Sequence, residues 1–176
     1  MNILLHTCCA PCASHCVFAL RELGHRVTLF FSNANIAPTE EYQKRLDAVH
    51  VLAESMQVPL LIDATSHDDW LTHVADGFEK EPEKGIRCER CFRYSLSRTY
   101  GEMVRQGFDA FTTSLTVSPH KPSSLLFEMG RSISEANFLA VDFKKNNGFV
   151  QSVRLATEMG LYRQRYCGCE FSLRKA

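Results

Sequence analysis

A chain of 176 residues with 45% hydrophobic residues is long enough to bury a core without staples and fits the size of one domain. Twenty Lys and Arg balance twenty Asp and Glu, which argues against a generic nucleic-acid coat but leaves room for a local basic patch. No apolar run approaches the roughly 20 residues of a membrane span, and Met1 to His6 form no basic leader, so the expectation is a cytoplasmic protein with reduced thiols.

Apolar runs and helical patterns alternate along the chain. Ile3 to Leu5 reads as a short buried strand. Pro11 then suits the first turn of a helix to about Leu23, with Gly24 at its end. Val27 to Phe31 is a second strand, and Thr39 opens a helix whose Tyr42, Leu46, Val49, Ala53 and Met56 share a face. Val58 to Ile62 is a third strand, and Trp70, Val74 and Phe78 mark a helix. A longer helix from about Glu89 to Gln106 stops at Gly107. Phe108 to Leu115 is a fourth strand, Ser124 to Ala136 a helix, Phe138 to Val141 a fifth strand, and Val150 to Met159 the last helix. Strands separated by helices imply right-handed crossovers and a parallel sheet. The expected fold is therefore a single doubly wound α/β domain over 1–176, Rossmann-like or HUP-like. Its mostly parallel five-stranded sheet takes the order 3-2-1-4-5 with helices on both faces, and segment 161–176 follows it. Ligands in such folds bind beyond the carboxyl ends of the strands where the order reverses.

Eight cysteines fall into tight groups: Cys8, Cys9, Cys12 and Cys16, then Cys88 and Cys91, then Cys167 and Cys169. Spacings of this kind aim two thiolates at one centre, and Cys8 and Cys9 directly follow the first strand. Glycine-rich phosphate loops are absent, so a dinucleotide or P-loop reading has no support. Tetrahedral zinc is a rival, since two cysteine pairs satisfy it, but it leaves a third pair unexplained. Adjacent cysteines better suit the larger cage of an iron–sulfur cluster. Two classes stay open on the residues alone: an iron–sulfur reductase, and a zinc- or cluster-stabilised nucleic-acid binding module without catalysis.

The motifs Leu4-Leu5-His6-Thr7-Cys8-Cys9-Ala10-Pro11-Cys12, Asn33-Ala34-Asn35-Ile36, Glu41-Tyr42 with Arg45 and Leu46, and Arg87-Cys88-Glu89-Arg90-Cys91-Phe92-Arg93 occur in order. Phe111-Thr112-Thr113, Ser118-Pro119 and the run Gly160 to Cys169 complete the series. Together they resemble the QueH family of epoxyqueuosine reductases from the first strand to the last cysteine pair. The resemblance implies reductive removal of the epoxide oxygen of epoxyqueuosine at the wobble position of a tRNA. It further implies a [4Fe-4S] cluster on residues matching Cys8, Cys9, Cys88 and Cys91, a redox-active pair matching Cys167 and Cys169, and an electron donor of unknown identity. The C-x-C pair suits an electron store, because a disulfide across one glycine closes a tight, reducible ring.

Several further residues are candidates. Cys12 could bind an additional metal ion, and Cys16, one turn on, reads as a packed thiol. His6 is a candidate proton donor with a hydrogen-bonded core histidine as the alternative. Lys121, beside His120, is a candidate phosphate contact. Arg163 and Arg165 interleave with Tyr162 and Tyr166, which suits phosphate pairing with base stacking and makes Arg163, Arg165 and Tyr166 candidate tRNA contacts. They lie in a basic end that also carries Lys144, Lys145, Arg154, Arg174 and Lys175.

Overall fold

Side-chain alternation along the first strand sets the architecture. In the computed structural model, which describes residues 1–173, β1 (Asn2–His6) turns Ile3 and Leu5 to one face and Leu4 to the other, all fully buried. The basic-end residues Arg174 and Lys175 lie outside the described residues. β2 (Arg26–Phe31) lies parallel to β1 with Leu5 opposite Leu29, and β3 (Leu60–Ile62) lies parallel to β2. β4 (Ala110–Thr113) pairs with the other edge of β1, placing Leu5 opposite Thr112 and His6 opposite Thr113. The sheet order is β3-β2-β1-β4.

Helices α1 (Ala10–Glu22), α2 (Thr39–Ser55) and α6 (Gly148–Glu158) cover one face, where Val17, Leu20, Val49, Leu52 and Ala156 pack on Ile3, Leu5 and Leu29. Helices α4 (Ile86–Gln106) and α5 (Ser123–Ile133) cover the other, with Leu96, Met103 and Met129 against Leu4, Phe30 and Phe111. A third, small core lies around Trp70, where the one-turn helix α3 (His67–Trp70) runs into a π turn over Leu71–Ala75. Among the described residues no helix is long and apolar enough to cross a membrane.

The doubly wound α/β class and the order of the first four strands match the sequence reading, but the fifth strand does not form. Phe138 makes only an isolated parallel bridge to Phe111. Its ring packs edge-on to Phe111 at 5.2 Å and fills the space beside Gly130, where a Cβ would meet ring carbons at 2.5 Å. Two bonds join the segment to β4, Phe111 N–H to the Asn137 carbonyl and Leu139 N–H to the Phe111 carbonyl, and there the pairing stops. Beyond it Val141 N–H donates to the Leu139 carbonyl and the Thr116 hydroxyl donates to the Val141 carbonyl at 2.9 Å, so the next polar groups are taken and the ladder does not extend. A second difference bears on function: α4 starts at Ile86, not Glu89, so Cys88 lies inside its first turn.

Asp63 closes the carboxyl end of β3. It accepts two bonds from Arg98 of α4, at 2.6 and 2.7 Å, and one from the Ser32 hydroxyl at 2.7 Å. Burial alone would raise its pKa, but Arg98 and the Ser32 and Thr65 hydroxyls outweigh that and hold it at about 2. The sign of the pH effect follows. A depressed carboxylate contributes stability that is complete above its unfolded value, about 4, and is lost as pH falls toward 2. Asp63→Asn should therefore lower unfolding free energy by roughly 2 kcal/mol near neutrality. It should also flatten the acid limb between pH 4 and 2, as read by urea titrations across that range.

Candidate active site

Parallel pairing sends the carboxyl ends of all strands to one edge, and the cysteine groups lie beyond it. Cys9 is the N-cap of α1, in extended backbone, and Pro11 occupies the first turn. Cys8 and Cys9 therefore sit at the positive end of a 13-residue helix, where a thiolate is favoured. Their sulfurs are 3.8 Å apart, and those of Cys8, Cys9 and Cys12 all lie within 4.8 Å of one another. Such a trio could hold a metal ion. Contacts from the Cys12 and Cys9 thiols, with the Ser114 hydroxyl at 3.4 Å, hold the Cys8 pKa well below the usual thiol range. The Cys12 thiol draws Cys9 down, but the Cys8 sulfur and burial push it up to about 12. Cys16 is packed in the core under α1, and burial raises it.

The other two groups meet each other. Cys88 and Cys91, one turn apart on α4, line a cavity of about 20 Å³ together with Cys167 and Cys169 from the segment after α6. Asn35, Trp70, Arg87, Phe92 and Ser172 complete its wall. Cys88 accepts the Lys84 backbone N–H at 3.2 Å, and burial raises Cys91 and Cys167, the latter offset by the positive charge of Lys121. Lys121 lies in the field of both thiol groups. Burial works against its charge, yet Cys167, Cys8, Cys12 and Cys9 together keep it protonated well above the usual lysine range. All eight cysteines are free thiols here.

A buried ion pair fixes the C-x-C segment. Arg45 of α2 donates from Nε to Glu41 at 2.7 Å, one turn earlier, with side chains only 2% and 9% exposed. Its two remaining nitrogens reach the carbonyls of Cys167 at 2.8 Å and Tyr166 at 3.1 Å, and its guanidinium lies 5.2 Å from the Tyr166 ring centre. The Tyr162 hydroxyl takes the second Glu41 oxygen at 2.7 Å, so the carboxylate is satisfied on both sides. Gly168 has φ +152°, a conformation other residues rarely adopt, and a Cβ there would stand 2.8 Å from the Asn35 amide. The backbone of this spacer favours glycine.

His6 is buried, and its two ring nitrogens are both engaged. Nε2 lies 3.2 Å from the Ser32 carbonyl and must donate to it, so Nδ1 accepts from the Thr113 hydroxyl at 2.9 Å. Burial holds the ring neutral. It joins the ends of β1, β2 and β4 rather than opening to a cavity. Arg163 and Arg165 are exposed and unpaired among the described residues, while the Tyr166 hydroxyl donates to the Ala37 carbonyl at 2.5 Å. Lys144 is tied inward, its ammonium donating to the Lys121 carbonyl at 2.8 Å and the Ser123 hydroxyl at 2.7 Å. The sequence reading missed the structural parts of Arg45 and Glu41, whose i, i+4 spacing was visible, and of Trp70 and Arg87, which carry no spacing signal.

Comparison with known proteins shows the family of the chain. The family model described as Epoxyqueuosine reductase QueH matches residues 3–175. A protein of that name from Thermotoga maritima is 36% identical, covering 98% of this chain and 90% of its own. Another from Streptococcus pyogenes serotype M1 is also 36% identical, over 97% and 70%, and one from Acinetobacter baylyi is 34% identical, over 98% and 81%. The crystal structure of a predicted tRNA methyltransferase subunit from Methanocaldococcus jannaschii superposes with a TM-score of 0.58 at 12% identity, over 90% of this chain and 75% of that one. That likeness establishes the α/β fold alone. A parallel α/β sheet with thiol groups beyond its carboxyl edge, one trio of which could hold a metal ion, is the frame of an oxidoreductase. The chain belongs to the epoxyqueuosine reductase QueH family.

Removing Arg45 leaves the Glu41 carboxylate buried without its cation, a change that costs about 3–5 kcal/mol. Arg45→Met should lower stability by that order in urea. In the folded fraction it should speed iodoacetamide labelling of Cys169, now buried, relative to Cys16.

Proposed function

We propose that this chain reduces epoxyqueuosine in the anticodon of a tRNA to queuosine, with a [4Fe-4S] cluster and the Cys167–Cys169 pair as its redox groups. The observation that carries the reading is the pocket where the C-x-x-C of α4 and the C-terminal C-x-C share one wall, together with the separate Cys8–Cys9–Cys12 trio. The donor set is entirely sulfur, with no carboxylate in the trio or the pocket lining, which suits iron–sulfur or zinc and not a hard cation. Cys8, Cys9, Cys88 and Cys91 would hold the cluster, and Cys12, within 4.8 Å of its neighbours, is placed for an additional metal ion. When bound, such a cluster supplies single electrons and an open iron can act as Lewis acid.

The balance of the reaction assigns work to the chain itself. Converting an epoxide to an alkene and water takes two electrons and two protons. Oxidation of the Cys167 and Cys169 thiols to a disulfide releases two of each, so one turnover of the pair closes the balance. An external donor must then return the pair to dithiol. Arg45 holds the carbonyl ahead of the first thiol, and Gly168 lets the two sulfurs approach across one residue. His6 is given a positioning part, keeping the strand ends under Cys8 in place. Lys121, which has no salt-bridge partner among the described residues, offers its charge to substrate, while exposed Arg163 and Arg165 offer theirs to phosphate near the half-buried Tyr166.

Two measurements test this reading. In anaerobically reconstituted protein, Cys88→Ala should lose iron and sulfide together with reduction of epoxyqueuosine-containing tRNA. Cys169→Ser should keep the cluster spectrum near 400 nm and lose turnover. Full iron in the first variant, or loss of the cluster in the second, would reassign the two pairs. Separately, replacing Arg163 and Arg165 by Ala should weaken tRNA binding and reduce its salt slope by roughly 0.7 log unit per lost phosphate contact. The cluster content should not change.

A further inference from the structure

The mechanism leaves two buried donors unused, and both face the thiol pocket. Trp70 is 1% exposed, and its indole Nε1–H has no nitrogen or oxygen acceptor; the one group it leans on is the Cys91 sulfur, whose thiol pKa it draws down against burial. Arg87 is equally buried and its Nε–H is unpartnered. The NH1 group of Arg87 donates to the carbonyls of Phe78, Glu79 and Glu81 at 3.0, 3.1 and 2.6 Å, but no carboxylate among the described residues neutralises its charge. Unpaired buried N–H groups are rare, and an uncompensated buried cation is costlier still. Both side chains line the cavity shared by Cys88, Cys91, Cys167 and Cys169. Neither can turn away. The Trp70 ring is stacked on His67 at 5.6 Å and 14° and flanked by Phe171 at 6.4 Å, and the Arg87 guanidinium lies 4.8 Å from the Phe171 ring centre.

We propose that Trp70 and Arg87 are built-in partners for negative charge on the sulfur centre, and that the Trp70 N–H raises its reduction potential. The inference rests on the reading that Cys88 and Cys91 hold an iron–sulfur cluster. The physical argument is one of sign. Reduction adds negative charge that spreads onto sulfur, and a fixed N–H donor or buried cation stabilises the reduced form more than the oxidised one. The low dielectric of the pocket keeps that preference from being screened. Packing alone would be met by any large ring at position 70, so the nitrogen is the part of the side chain that needs a ligand.

Trp70 is the only tryptophan of the chain. It can therefore be replaced throughout by β-(3-benzothienyl)alanine, which keeps the ring shape and puts sulfur in place of N–H. The reconstituted holoprotein carrying the analogue should hold the wild-type complement of iron and sulfide. In an EPR-monitored redox titration its reduced-to-oxidised ratio at a given potential should fall about tenfold, which is a midpoint lower by about 59 mV for one electron. Trp70→Phe should move the midpoint in the same direction. A wild-type midpoint in a fully loaded analogue protein would overturn this assignment and leave the cluster reading standing. Loss of the cluster in both variants would also overturn it, making Trp70 a packing residue. Wild-type protein that takes up no iron and sulfide would overturn the cluster reading and this inference with it.

Discussion

Parallel pairing of one short strand governs everything else in this protein. β1 is hydrogen-bonded on both sides, and because its partners run the same way, every crossover must return to the same edge. The turns after β1, β2 and β4 are thereby brought side by side, although they are far apart in sequence. His6 reinforces the arrangement at the point where it matters, bonding the β4 hydroxyl of Thr113 and the carbonyl just past β2. Cys8 begins two residues later. A rigid strand, buried from Ile3 to His6, delivers the thiols to this edge, although their loops are not themselves regular.

The chemistry was legible in the sequence to a useful depth. Clustered cysteines are hard to explain by packing, and their position after an apolar run pointed to the carboxyl edge of a sheet. What remained hidden depended on burial, which no spacing encodes. Glu41 and Arg45 stood in the sequence only as parts of a motif, one helical turn apart. Folding buries both and commits Arg45 to carbonyls more than a hundred positions away. The apolar run Phe138 to Val141 has strand composition, but a single bridge and a local fold-back satisfy it. The Trp70, Val74 and Phe78 spacing looked like a regular helix, whereas one α turn widens into a π turn and places the indole in the thiol pocket.

The site is assembled by compensating charges in places where water is scarce. Glu41 is paired on both oxygens, Asp63 is held by a forked arginine and two hydroxyls, and Lys121 sits in the field of two thiol groups. The Glu41–Arg45 pair is the costliest to disturb, because the surviving partner would remain buried without its counterpart. Arg87 is buried too and has no carboxylate against it among the described residues, which is why its position at the cysteine pocket carries weight.

The way the segment bearing Cys167 and Cys169 is attached sets how the pocket opens. It adds no strand to the sheet and is held to the helical layer by bonds to Ala37 and Arg45. A wall fastened by so few contacts lifts at a lower free energy than the sheet unfolds, so access to Cys88 and Cys91 is governed by local opening and not by the stability of the whole domain.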